Sequence, residues 1–373
     1  MKILHLCSDF HGTNVYREFF LELDKYGLNQ IIYAPVKREK DLGKRIDLSL
    51  KNAEYIYSNA YNDIDRFFYR HKIRKLIFDI KSKIDLREVT IIHAHFLFSM
   101  GGIALELKKE FGIEYIVSFR NADLNHFFKY RPFLRYKGKE ILKNSNNINF
   151  ISPAYKKRLF SDYLNKAEKN SIENKCRILP NGINDFWLKN KTTNKKFDNS
   201  KINLLCVGEL DKNKNITSSI KVTTELASRG WNVSFGIVGK GKLEKKIKTI
   251  VKKESSRIRY LGFFDKKEDL LSTYRKYDIF LMPSFEETFG LVYLEALSQG
   301  LPIIYTKGEG IDGFFDDGIV GFSNEPKNIK GISNNIEAII NNYEEVSSTC
   351  LKRINQFSWK IIVEKYLKDC YPK

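Results

Sequence analysis

SFEETFGLVYLEALSQGLPII, residues 284–304, sets two carboxylates on either side of a glycine within an otherwise apolar run. Glu287 stands just before Phe289 and Gly290, and Glu295 follows eight residues after Glu287. Leu291, Val292, Leu294, Ala296 and Leu297 form the buried stripe of a helix that opens near Gly290. The strand candidate 279–282 precedes them and ends at Pro283-Ser284. The stretch therefore reads strand, glycine turn, helix. Such a turn aims free backbone N–H groups and the positive helix end at whatever lies in front, which suits a phosphate. Glu295 rises roughly 7–8 Å from that end at ~1.5 Å per residue, where it can accept from hydroxyls beside a phosphate, such as those of a ribose. Glu287, on the other side, can accept from a second polyhydroxylated group. One glycine turn between two acids fits a nucleotide-sugar better than a bare phosphate.

The chain has 373 residues, enough for two domains. Hydrophobic residues at 42% and charged residues at 29% match a soluble globular protein. No stretch approaches the ~20 apolar residues of a transmembrane helix. MKILHLCSDF turns polar too early for a signal peptide and reads as a first buried strand. Cys7, Cys176, Cys206, Cys350 and Cys370 are scattered and lack CxxC spacing, which points to a reducing, cytoplasmic compartment and away from a zinc site. A net charge of +19 favours an anionic partner: nucleic acid, an acidic membrane or a phosphorylated substrate. The bland alternative is an AT-rich coding sequence, which enriches Lys, Asn and Ile together.

Strand and helix patterns alternate through the N-terminal half. Residues 2–7, 30–35, 90–96, 114–119 and 148–152 read as strands, with helices over 15–27 and 101–112 and a basic, irregular region up to about residue 88. Residues 186–201 lose the apolar pattern and form the linker candidate. Alternation restarts with strands at 202–208, 232–239 and 258–262. Two such series imply two Rossmann-like, doubly wound α/β domains facing a cleft, with ligands at the carboxyl ends of the strands. The boundaries read are 1–185, linker 186–201, 202–356, and a terminal helix over 357–373.

At this point a family enters. PSFEETFGLVYLEALSQGLPII resembles the E-x7-E segment of retaining, GT-B-fold glycosyltransferases, particularly glycosyltransferase family 4. ILPNGIND (178–185) is similar to the family's hinge-side turn, and VGELDKNKN (207–215) and IVGKGKLE (237–244) to its C-domain loops. FSW (357–359) is similar to the start of the terminal helix that crosses back to the N-domain. The resemblance implies that Glu287 meets donor-sugar hydroxyls, that N–H groups around Phe289, Gly290 and Leu291 meet the diphosphate, that Glu295 binds the ribose and Lys214 a phosphate, and that the loop near Gly262 faces the base. There are departures. Glu209 stands where the family usually has an arginine, and losing one charge-assisted hydrogen bond costs on the order of 1.5–3 kcal/mol. The family's glycine-rich N-terminal loop is reduced to HGTN, with Gly12 its one glycine. SFRNAD (118–123) stands where many members have a histidine-glycine turn, so Arg120 is either the candidate for the missing positive charge or a strand-end arginine in a surface ion pair.

Asp123 reads as orienting the acceptor hydroxyl or as capping the following helix. His93 and His95, two apart on one strand face, read as buried and structural. GEGIDG (308–313) satisfies G-x-G-x-x-G, yet no long helix follows and no acid stands ~20 residues on, so a glycine turn near the donor sugar is expected. The D-x-D at Asp63-Ile64-Asp65 reads as a solvated face, leaving a catalytic metal unsupported. HFFKYRPFLRYKGKEILK (126–143) interleaves aromatics with Lys and Arg, as suits an anionic membrane surface. No nucleic-acid-binding module accompanies the charge. The reading is a retaining, metal-independent hexosyltransferase, peripheral on the inner face of the cell membrane. It needs no cofactor, since the nucleotide-sugar is a substrate, and its acceptor is a glycan or lipid-linked glycan of a bacterial surface polysaccharide. The alternatives are a nucleotide-sugar epimerase or hydrolase of the same fold and a basic nucleic-acid-binding protein.

Overall fold

Near-continuous apolar runs, rather than alternating ones, are what strands need when helices cover both faces of a sheet. Ile3, Leu4, His5 and Leu6 are all buried, as are Ile91 to Ala94 and Tyr115 to Phe119. A computed structural model describes residues 1–65, 67–254 and 256–371. The chain divides into two compact units.

Unit 1 comprises residues 1–151, 155–182 and 359–373. Its strands are β1 (Lys2–Leu6), β2 (Asn29–Pro35), β3 (Ala53–Ser58), β4 (Ile91–Ala94), β5 (Tyr115–Phe119), β6 (Asn147–Phe150) and β7 (Cys176–Ile178). They form one sheet in the order β3-β2-β1-β4-β5-β6-β7, and every pair is parallel. Two of these elements correct the sequence reading. The region taken as irregular up to residue 88 holds β3 and the helix Tyr69–Lys83. β3 is an edge strand with only Ser58 fully buried, and the helix buries just Ile73, Leu76 and Ile80 beneath a basic surface. Half-buried elements of that kind leave a weak apolar signal.

Unit 2 comprises residues 152–154 and 183–358. Its strands β8 (Ile202–Val207), β9 (Val233–Val238), β10 (Ile258–Gly262), β11 (Ile279–Leu281), β12 (Ile303–Thr306) and β13 (Gly321–Asn324) are ordered β10-β9-β8-β11-β12-β13, again all parallel. The stretch read as a linker, 186–201, opens inside the helix Asp185–Lys189. Asn184 Oδ1 accepts from Phe186 N at 3.0 Å, and Trp187 buries its ring edge-on against Tyr274. Two aromatics hold a short helix there despite the polar residues around them.

The terminal helix Trp359–Asp369 belongs to unit 1, as expected; the last two residues of the 357–373 segment lie outside the described ones. Trp359 Nε1 donates to Glu18 Oε2 at 2.8 Å, and Phe19 packs on both Trp359 and Tyr366. Gly182 lies flat under the indole, where a Cβ would fall 2.3 Å from Trp359 Cδ2. Gly182→Ala should therefore overpack this joint and lower the stability of unit 1 by about 1–3 kcal/mol. Thermal unfolding followed by tryptophan fluorescence measures it, and an unchanged midpoint would refute the packing described.

Candidate active site

In unit 2 the strand order reverses between β8 and β11, so these neighbours send their chains to opposite sides of the sheet. A crevice opens at the carboxyl ends of the strands at such a point, and in this architecture ligands bind there. The loops after β8 and β11 run side by side and are stitched together. Phe285 N donates to Asn213 O at 2.8 Å, Glu286 N to Asn213 Oδ1 at 2.9 Å, and Asn213 Nδ2 to Glu286 O at 2.8 Å. Asn215 adopts a left-handed conformation (φ 52°), and its Nδ2 donates to Pro283 O at 2.9 Å and Pro326 O at 2.8 Å. The sequence reads Asn213 only as part of an exposed polar turn, and the stitching role of both asparagines goes beyond that reading. The signal was present in the run DKNKN, since asparagine tolerates αL and bonds backbone in tight turns.

The stitching brings Lys214 and Glu287 together: Lys214 Nζ donates to Glu287 Oε2 at 2.6 Å, with side chains 18% and 10% exposed. The expected phosphate-binding cation and the expected sugar-binding acid thus neutralise each other. Glu287 is braced from behind by the glycine turn of GEGIDG. Gly310 N donates to Glu287 O at 2.9 Å, and Glu287 N to Glu309 Oε2 at 3.1 Å. Gly310 sits at φ 53°, and a Cβ there would fall 2.9 Å from Glu287 Cγ. Glu309 was also missed as an individual residue, although its motif was singled out.

Gly290 opens the helix Leu291–Ser298 at φ 79°, a conformation side chains rarely adopt. Phe289 is buried against Phe314 and Phe357, so its backbone, not its ring, is what it can offer a ligand. Glu295 lies on the same helix, and Tyr274 Oη donates to its Oε2 at 3.0 Å. Burial, with Glu295 beside it, pushes the Tyr274 phenol well above its ordinary range, which keeps it a donor. Gly262 ends β10 at φ 86°, where its carbonyl accepts from Gly239 N at 2.8 Å. Glu209, at the family's arginine position, is exposed.

Gly12, Arg120 and Asp123 belong to unit 1. Gly12 closes a turn after β1, donating its N–H to Asp9 O at 3.0 Å. Asp123 corrects the expectation that it orients an acceptor. Its carboxylate is 1% exposed and accepts from Arg120 N (2.9 Å), Leu97 N (3.1 Å) and Phe98 N (3.2 Å). It ties two loops together and is not open to a substrate hydroxyl. Arg120 is 8% exposed; its Nη1 donates to Asn181 Oδ1 at 2.9 Å and its guanidinium lies 5.7 Å from the Tyr16 ring centre. Its Nε has no partner among the described residues, an unusual state for a buried cation. The D-x-D reading is also corrected. Asp65 is buried and accepts from Lys75 Nζ and Asn62 N, while Asp63 pairs with Lys37, so the motif braces its own loop.

His93 and His95 are buried as expected and join His5, whose Nδ1 lies 3.2 Å from His95 Nε2. The three rings bring one nitrogen each within 4.8 Å of the others. Both nitrogens of His93 are engaged, by Tyr371 Oη at 2.8 Å and Ser118 Oγ at 3.0 Å, which suits a neutral hydrogen-bonded core rather than a cation site. Burial drives His5 down to about 3 and the other two well below 6.5. Below pH 6.5 the unfolded chain then binds more protons than the folded one, so stability is lost as pH falls. Asp123 opposes this in part: burial raises it from 3.8 to about 6, so its contribution is lost as pH rises through that window. Urea unfolding between pH 7 and pH 4 should show stability falling toward acid by roughly 1.4 kcal/mol per pH unit for each uncompensated histidine. His5→Leu should make the slope shallower by about one proton; an unaltered slope would contradict the cluster's neutral state.

Residues 189–353 match the family described as glycosyl transferases group 1. An uncharacterized glycosyltransferase of Methanocaldococcus jannaschii is 28% identical over 291 residues, which covers 76% of this chain and 75% of that protein. The alpha-monoglucosyldiacylglycerol synthase of Acholeplasma laidlawii is 26% identical over 325 residues, covering 81% and 76%. Among solved structures, trehalose-6-phosphate from E. coli bound with UDP-2-fluoro glucose superposes with a TM-score of 0.71 at 12% identity, covering 99% of this chain and 98% of that one. That likeness speaks for the fold. Residues 189–353 thus carry the segment of the group 1 glycosyl transferases, and the two parallel sheets share the GT-B fold of the solved structures.

Proposed function

We propose that this chain transfers a sugar, with retention of configuration, from a nucleotide-sugar to a glycan or lipid-linked glycan of a bacterial surface polysaccharide. The observation that carries this reading is the Lys214–Glu287 pair at the strand-order reversal of unit 2, directly before the N-terminus of the helix Leu291–Ser298. In this reading Lys214 and the amides around Phe289, Gly290 and Leu291 receive the diphosphate, Glu287 receives sugar hydroxyls, and Glu295, steadied by Tyr274, receives the ribose. The UDP-sugar bound in a structure of the same fold supports a nucleotide-sugar donor. A relative named for a glucosyldiacylglycerol product supports an acceptor with a lipid tail. The basic aromatic segment 126–143 would hold the enzyme at the inner face of the cell membrane.

In the reaction the bond between the anomeric carbon and the diphosphate oxygen breaks, and a bond to the acceptor oxygen forms on the same face. The acceptor proton passes to the departing phosphate oxygen. Charge grows on that diphosphate, where Lys214 and the helix N-terminus are pre-aligned to stabilise it. Arg120, whose Nε–H has no partner among the described residues, is the second cation assigned to the substrates. The D-x-D motif is committed to Lys75 and Lys37, which supports a metal-independent reaction.

The pair predicts a split between binding and turnover. Glu287→Gln frees Lys214 from its partner, so UDP should bind several-fold more tightly, given that a charge-assisted bond is worth roughly 1.5–3 kcal/mol. Sugar transfer should fall on the order of 10²-fold. Calorimetry with UDP and a transfer assay with UDP-sugars measure both, and a variant that loses UDP affinity along with rate would contradict the assignment. Release of free or epimerised sugar by the wild type in the presence of acceptor, without transfer, would favour the epimerase or hydrolase instead.

A further inference from the structure

Unit 1 exposes an unusual number of large apolar side chains in two segments far apart in sequence. Ile64, Phe67 and Phe68 precede the helix Tyr69–Lys83, and Tyr130, Phe133 and Tyr136 lie in the basic aromatic segment; each is 61–78% exposed. The fold brings the segments together as the walls of one groove of about 1050 Å³. Arg70, Ile73, Arg74 and Ile77 line one wall, and Phe133 and Tyr136 the other. The groove's carboxylates are matched by lysines: Lys109 with Glu140 at 2.7 Å, Lys137 with Glu106 at 2.8 Å, and Lys81 with Glu110. Arg70 and Arg74 are exposed and form no ion pair among the described residues, so the rim carries net positive charge. Burial, with Lys37 and Arg131 beside it, pushes the nearby Lys72 ammonium down to about 8, a further sign of crowded positive charge.

We infer that this rim, Ile64, Phe67, Phe68, Arg70 and Arg74 together with Phe133 and Tyr136, is a membrane-docking face in which the aromatics enter the headgroup layer and Arg70 and Arg74 meet anionic phospholipids. Aromatics with one apolar body at an interface and cations within a Debye length of a charged bilayer are the side chains such a contact requires. A nucleic acid fits less well. Its backbone would have to enter the groove among Glu106, Glu110 and Glu140, where lysines already meet the carboxylates and leave little net positive charge, whereas a bilayer needs only the exposed rim. The inference rests on the peripheral-membrane reading above and adds a second segment to it, one not legible as an interface in the sequence.

The test uses the full chain with vesicles of phosphatidylcholine alone or mixed with phosphatidylglycerol. The wild type should sediment with the mixed vesicles only. Arg70→Gln combined with Arg74→Gln should weaken that binding on the order of tenfold or more, with UDP affinity unchanged as a control for folding. Phe68→Trp, which keeps an aromatic, should show a blue-shifted emission relative to wild type when mixed vesicles are added. If the wild type binds, but the arginine variant binds equally and Phe68→Trp shows no shift, this face is wrong while the peripheral reading stands on residues 126–143. A wild type that binds no vesicles overturns both. The face is equally overturned if the arginine variant instead abolishes binding to a polyuridine probe, or if Phe68→Ser dissolves a dimer of the free protein.

Discussion

Everything in the candidate site depends on the reversal of strand order between β8 and β11 in unit 2. Because these two strands are neighbours, the loops that leave them are neighbours too, and residues 73 positions apart in sequence meet as a 2.6 Å ion pair. The pair is largely withdrawn from water, so each charge is held by the other; removing one alone would leave the second uncompensated, an expensive state. On the proposed reading, an incoming diphosphate would resolve that problem differently, by giving Lys214 a replacement anion and leaving Glu287 to hydroxyls. Binding then exchanges one compensated arrangement for another. It does not require a free cation to be stored in the unliganded protein.

The loops can hold this geometry because their backbone is over-determined. Asn213 bonds three times across to the β11 loop, and Asn215 fixes the start of the helix Ile216–Ser228 by gripping Pro283 and Pro326 carbonyls. Gly310 and Gly290 take positive φ on either side of Glu287, and a Cβ at either would fall within 3.2 Å of Glu287 Cγ. Tyr274 does for Glu295 what Lys214 does for Glu287, but as a neutral donor. The backbone that carries both acids is thus held in place while the partners of their side chains can change.

Much of this was legible in the sequence where local pattern and chemistry coincide. The strand–glycine–helix reading of 279–297, the roles of Gly290 and Glu287 as neighbours, and the return of the terminal helix to unit 1 all follow from short-range signals. What escaped depended on partners distant in the chain. Asp123 reads equally as an acid or a cap until Leu97 and Phe98 are seen to supply its donors. Lys214 looks like a free cation until Glu287 stands beside it. The strand β3 and the helix Tyr69–Lys83 were hidden because half-buried elements under a lysine-rich surface lack a strong apolar period, and with them went half of the exposed aromatic rim.

The central claim is that the switch point of unit 2 receives the donor's diphosphate. Amide hydrogen exchange with and without UDP tests it most directly, because the proposed ligands include backbone N–H groups. Saturating UDP should slow exchange in peptides spanning 284–294 and 208–216, with the largest change at the amides after Thr288. Protection confined to other segments, with these two exchanging as in the free protein, would contradict the account.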